Sequence, residues 1–318
     1  MKFWPQTAAL EKLALLVALS ASFATVIWLV GVTFTPAPSA PQALPHRQHR
    51  PAPLAQLPGG GRHLLPERRL VALYGNPETP LLGVLGEQPA EPAMDRAIQL
   101  AAQYQPLSHE KVLPTVEIIA TVASASATEN GDFSRETPPP VLRPWIDAAK
   151  RKGVYVILDL QPGRTDFLTQ AKQHEDLLRE PHVGLALDPE WRLKPHEQHL
   201  NQIGSVNIDE VNTTSDWLAT LTKTYRLPQK VFLLHQFKLS MIEGRERLKT
   251  DRPELAYIIQ MDGQGGQGGK LDTWNVIRQN APANTYFGWK NFYDEDQPML
   301  APEQTMQLQP QPWYISYQ

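Results

Sequence analysis

The chain has 318 residues, 42% hydrophobic and 20% charged, with 30 basic side chains against 33 acidic ones. A net charge of −3 lacks the concentrated basic face that general nucleic-acid binding needs, so no nucleic-acid partner is expected. The absence of cysteine excludes disulfides, thiol nucleophiles, thiolate metal sites and lipid attachment through an N-terminal cysteine.

A short tail, residues 1–12, precedes an uncharged apolar run over residues 13–34. About 20 apolar residues cross a bilayer as one helix, and this run is longer than the apolar part of a cleaved signal peptide. It predicts an uncleaved transmembrane signal anchor. Lys2 and Lys12 precede the span, Arg47 and Arg50 follow it, and the short tail favours a cytoplasmic N-terminus with the remainder extracytoplasmic. Residues 35–67 are rich in proline and end in the Gly59, Gly60, Gly61 joint, which predicts an extended, disordered linker.

Over residues 68–318 short apolar runs alternate with stretches of helical spacing. Eight strands are predicted, at 70–75, 115–122, 154–161, 183–188, 230–237, 255–262, 285–292 and 313–317. Between the fourth and fifth, Val211, Thr214, Leu218, Leu221 and Tyr225 recur at helical steps. After the third, Thr165 is the expected N-cap of a helix whose face carries Phe167, Ala171 and Leu178. Strands alternating with helices imply parallel pairing through right-handed crossovers. Eight repeats in about 250 residues imply an α/β fold of the (β/α)8 TIM-barrel type. It lacks a final helix, which keeps an open doubly wound sheet as the alternative.

In such barrels the chemistry sits where strands end. Alternation puts Leu185 and Leu187 on one face of the fourth strand, and Gly184, Ala186, Asp188 and Glu190 on the other. Pro189 cannot donate to the sheet and ends the strand, leaving Asp188 and Glu190 inward at the mouth. Asp159 and Gln161 share the face of Tyr155 and Ile157, and Asp262 shares that of Ile258 and Gln260. Glu117 comes early in its strand and either lies deep or faces out. Only one of His235 and Gln236 can point inward. Tyr74 ends the first strand, Arg164 follows the third, and Trp289 and Lys290 close the seventh. The run Gly263 to Lys270 misses phosphate-loop spacing, since Gln264 and Leu271 stand where glycine and a hydroxyl residue are needed. It reads as a flexible loop on the active-site side.

The candidate catalytic acids are therefore Glu190, Asp188, Asp262 and Asp159, with Trp191, Trp289, Lys290, Gln161, Arg164, Tyr74, His235 and Gln236 as candidate substrate contacts. Converging carboxyls beside tryptophans suit glycoside hydrolysis, where one acts as general acid and another as nucleophile or base. The run Leu185, Ala186, Leu187, Asp188, Pro189, Glu190, Trp191 resembles the strand-four Asp-x-Glu signature of barrel glycoside hydrolases that cleave chitin or bacterial cell-wall glycans. That resemblance implies that Glu190 is the proton donor, that a neighbouring Asp orients it or supports the substrate, and that the partner is a cell-wall or other extracellular polysaccharide. Ala186 and Gly184 stand where chitinase-like enzymes carry further acids. No resident metal or cofactor is expected. The alternatives are a metal-dependent barrel hydrolase or phosphoesterase using Asp159, Asp188, Glu190, His235 and Asp262, and a non-catalytic glycan-binding scaffold.

Overall fold

A computed structural model describes residues 54–318; the predicted tail, the predicted anchor at 13–34 and most of the predicted linker lie outside them. Among the described residues no helix is long and apolar enough to cross a membrane. The eight parallel strands are β1 (Arg68–Gly75), β2 (Lys111–Ala123), β3 (Tyr155–Leu160), β4 (Val183–Leu187), β5 (Lys230–His235), β6 (Leu255–Met261), β7 (Tyr286–Asn291) and β8 (Tyr314–Tyr317). Each pairs with its neighbour in chain order, and β1 pairs with both β2 and β8, so the sheet closes. That closure excludes the open-sheet alternative. Every predicted strand matches an observed one within a few residues.

The helices are α1 (Ala90–Tyr104), α2 (Pro139–Lys152), α3 (Phe167–Gln173), α4 (Glu175–Leu178), α5 (Ile208–Thr224), α6 (Gln267–Ile277) and α7 (Pro302–Thr305). The stripe on α5 is buried through Val211, Thr214, Leu218 and Leu221, as its spacing predicts; Tyr225 lies just past its end and is exposed. The N-cap of α3 is Asp166 rather than Thr165: its carboxylate accepts from the Thr169 backbone N–H at 2.8 Å. Strict alternation breaks at the β5–β6 connection, which holds no α-helix but two single-turn segments, Leu239–Met241 and Arg245–Arg247, with the two-residue strand Ile242–Glu243 between them.

Alternation divides the core in two. Val71, Val156, Leu185, Leu187, Phe232 and Ile315 pack outward against helices. Leu70, Ala72, Tyr155, Ile157, Ala186, Val231, Leu233, Ile258 and Tyr314 fill the barrel axis. Gly184 belongs inside because a Cβ there would meet the Tyr155 hydroxyl and the Val231 carbonyl, both at 2.9 Å.

Residues 54–67, expected to belong to the disordered linker, instead close the N-terminal end of the barrel. Leu57, Leu64 and Leu65 are buried in the axial cluster. The Gln229 side-chain oxygen accepts from the Leu64 and Leu65 amides at 2.9 and 3.2 Å, and Arg62 donates to the Leu227 carbonyl at 2.9 Å. Proline and glycine content signals chain stiffness and turns; it does not register three leucines that find a hydrophobic end to cover. Leu64→Ala should therefore lower unfolding free energy by about 2–5 kcal/mol in urea titration with little change in slope. A change near zero would show that this segment is not part of the cooperative core.

Candidate active site

The C-terminal ends of the strands deliver a set of polar side chains into one region. Tyr74 comes from β1, Glu117 from β2, Asp159 from β3, His235 from β5 and Lys290 from β7. Gln161, Asp188, Glu190 and Asp262 come from residues just past strand ends. A cavity of about 600 Å³ opens there, lined by Tyr74, Gln161, Asp188, Glu190, Trp191, Asp262 and Lys290, with Phe237 and Phe292 as apolar wall. Asp159, Glu117 and His235 form the layer beneath, each fully buried.

His235 ties this lower layer to the cavity. Its Nε2 lies 2.8 Å from Glu117 Oε1 and 3.6 Å from Asp159 Oδ1, and its Nδ1 lies 2.9 Å from Asp262 Oδ2. Both ring nitrogens face carboxylate oxygens, which accept and do not donate, so the ring is satisfied as an imidazolium donating twice. Burial pulls its pKa down, but Glu117, Asp159 and the Asp262 hydrogen bond outweigh that and hold it well above the ordinary histidine value. Tyr314 donates to Glu117 Oε2 at 2.5 Å and Tyr74 to Asp159 Oδ2 at 2.9 Å. The Lys290 ammonium sits 3.4 Å from the centre of the Tyr74 ring, a cation–π contact.

The acids at the cavity are poor in donors. Asp188 Oδ1, Asp262 Oδ1 and, beneath them, Asp159 Oδ1 are buried without a hydrogen-bond partner. Burial foremost, with the charge of Asp262, pushes the Glu190 carboxyl up to about 7, while Lys290 and His235 oppose the rise. Burial and then Glu190 raise Asp188 well above the usual carboxylate range. Burial lifts Asp159 to about 6, against the pull of His235. Desolvation is the common cause.

Of the predicted residues, Glu190, Asp188, Asp262, Trp191, Lys290, Gln161 and Tyr74 meet at the cavity. The others do not. Asp159 and His235 support the floor from below. Trp289 faces outward, its ring 5.8 Å from that of Trp274 on α6 and its indole N–H donating to Asn291 Oδ1 at 2.9 Å; on β7 it is Gly288 and Lys290 that alternate inward. Gln236 points away from the axis and accepts from Arg245 at 2.7 Å. Arg164 lies over the Phe133 ring and donates to the Glu197 carbonyl at 2.9 Å, outside the cavity. The glycine-rich run is not wholly a loop: α6 begins at Gln267, and the buried Lys270 ammonium pairs with Asp296 and donates to the Lys290 carbonyl at 2.7 Å, pinning it. Glu117 is the principal member that sequence reasoning left without a place. Its alternation with Thr115 and Ile119, opposite outward Val116 and Ile118, is the signal that locates it on the axis.

Fold and site together define an α/β barrel with a desolvated acid cluster at its C-terminal mouth. No protein-family model and no curated protein matches the chain.

Glu190 is more easily protonated in the native cavity than in the unfolded chain, so its contribution to stability is full below about 4.5 and is lost as pH rises through about 7. Glu190→Gln should therefore stabilise the fold by about 1–3 kcal/mol at pH 8, and the gain should vanish as pH falls below 4.5. Urea unfolding at both pH values checks this; a pH-independent difference would contradict the burial of an ionisable carboxyl here.

Proposed function

We propose that this protein is a glycoside-hydrolase-like enzyme that cleaves an extracellular or cell-wall glycan by carboxylate acid–base catalysis. The observation that carries the reading is the pairing, at one cavity, of Glu190, raised to about 7, with Asp262, the carboxyl charge that most raises it. A group that remains protonated near neutrality can donate to a departing glycosidic oxygen. Asp262 receives the imidazolium proton on Oδ2 and has Oδ1 unpartnered at the cavity. It therefore has a lone pair fixed in place for a water molecule or an anomeric carbon. Trp191, Phe237 and Phe292 supply apolar surface that suits the C–H faces of a sugar ring. We further propose, on the apolar run at 13–34, that the enzyme is held at a membrane with its barrel extracytoplasmic.

Glu190→Gln should reduce release of reducing ends from peptidoglycan or chitin-type oligomers by about 10²–10⁴-fold. The unsubstituted protein should lose kcat/KM as pH rises through about 7, where the acid deprotonates. An unchanged rate in the variant would remove Glu190 from the role.

A metal-dependent reading draws on Glu117, Asp159 and His235, which offer ligand atoms within 4.8 Å of one another. Glu117 Oε1 and His235 Nε2 already bond to each other, and Tyr314 and Tyr74 occupy Glu117 Oε2 and Asp159 Oδ2, leaving Asp159 Oδ1 as the one ligand atom of the three residues without a partner. A cation would have to break those bonds and displace the imidazolium protons, so the hydrogen-bonded reading is favoured. Prolonged chelation should leave the melting temperature and any hydrolysis unchanged; a fall in both, reversed by one divalent ion, would favour the metal reading.

A further inference from the structure

The acids at the mouth outnumber the cations able to neutralise them. Glu117, Asp159, Asp188, Glu190 and Asp262 converge; His235 and Lys290 oppose them, and among the described residues Lys270, itself paired with Asp296, also acts on Asp262. Both nitrogens of His235 are taken by Glu117 and Asp262, and the Lys290 ammonium rests on the Tyr74 ring. The Tyr74 hydroxyl is spent on Asp159, and the Gln161 side-chain oxygen accepts from the Ala123 amide. The wall keeps some donors, the Lys290 ammonium and the Gln161 side-chain N–H among them, but its charge is predominantly acidic. Asp188 is the clearest case: it lines the cavity, is 3% exposed, and has a buried Oδ1 with no partner. The acid–base chemistry assigned to Glu190 and Asp262 leaves Asp188 without a task.

A buried carboxylate without donors is costly unless a ligand supplies them. A neutral sugar hydroxyl brings one donor and no charge. An N-acetyl group brings one N–H and no positive charge. An ammonium group brings three donors, no acceptor and a positive charge. We propose that the substrate is an amine-bearing glycan, with a free-amino hexosamine unit in the cavity whose ammonium group is received by Asp188. This inference rests on the glycosidase reading and names its substrate class. In the empty cavity burial and the neighbouring Glu190 favour a proton on Asp188, and the substrate's ammonium takes over that neutralising role.

The test uses the full chain in detergent, carrying Glu190→Gln so that no turnover intervenes. Calorimetric titration compares oligomers of β-1,4-glucosamine and α-1,4-galactosamine with their N-acetylated forms and with glucose oligomers of equal length. A free-amine oligomer should bind at least about tenfold more tightly than its N-acetylated counterpart, and adding Asp188→Asn should abolish that difference. Equal or tighter binding of the N-acetylated or neutral oligomers overturns the proposal, and so does no binding by any oligomer. Loss of amine-oligomer binding in the presence of calcium or magnesium, sensitive to Asp188→Asn, would assign the cation site to a metal and overturn it too. Digestion of the same panel by the unsubstituted protein separates the two readings. Cleavage without amine preference sinks this inference and keeps the glycosidase; tight amine binding without cleavage of any oligomer does the reverse.

Discussion

The interaction on which the mouth of this barrel depends is the imidazolium of His235, held between Glu117 on one side and Asp262 on the other. Several carboxyls are brought together where little water reaches them, and each unpaired charge there carries a desolvation penalty of several kcal/mol. One cation that contacts three acids, with Asp159 at 3.6 Å as the third, makes the arrangement tolerable. It also transmits geometry: the position of Asp262 at the cavity is set by a ring whose other nitrogen is anchored two layers of hydrogen bonding away, through Glu117 to the Tyr314 hydroxyl.

The barrel supplies the rest of that constraint. Strand pleat sends alternate residues to the axis, so the interior is built in layers. The lower layers are apolar, with Leu70, Tyr155, Ile157, Val231 and Leu233, and the end below them is sealed by Leu57, Leu64 and Leu65. A dry floor beneath the acids is what makes burial the leading cause of the raised Asp159, Asp188 and Glu190. The segment that covers the bottom of the barrel thus bears on the chemistry at the top, although it touches none of the acids.

Most of the fold was legible because strand signals and strand ends coincide with simple chemistry. Runs of Val, Ile and Leu mark the eight strands, and Pro189 marks where β4 must stop; Asp188 follows the strand directly, while Glu190 reaches the cavity from the 3-10 turn Pro189–Trp191. The alternation of leucine with glycine and alanine in β4 is legible for the same reason: the axis has room only for small side chains beside Tyr155. Trp289 was harder, because an aromatic residue at a strand end suits either face; Gly288, which packs against Tyr314 on the axis, is the better guide to register. Glu117 escaped because a carboxylate deep in a strand makes sense only once its partners, 118 and 197 residues away in sequence, are known. Residues 54–67 escaped because composition reports their stiffness and not the hydrophobic end they cover.

The division of labour among the acids follows from who has a partner. Asp262 meets an imidazolium proton, while Glu190 meets none and lies close enough to Asp262 for that charge to oppose its own ionisation. Two carboxyls in one cavity are thereby given different partners, and burial with the neighbouring charge holds a proton on Glu190, as a general acid must hold one near neutrality. Asp188 fits neither part: it is more deeply buried, beside Glu190, and has an unpartnered oxygen. In a wall whose charge is predominantly acidic, retaining such a group favours a ligand that carries donors and positive charge over a neutral one.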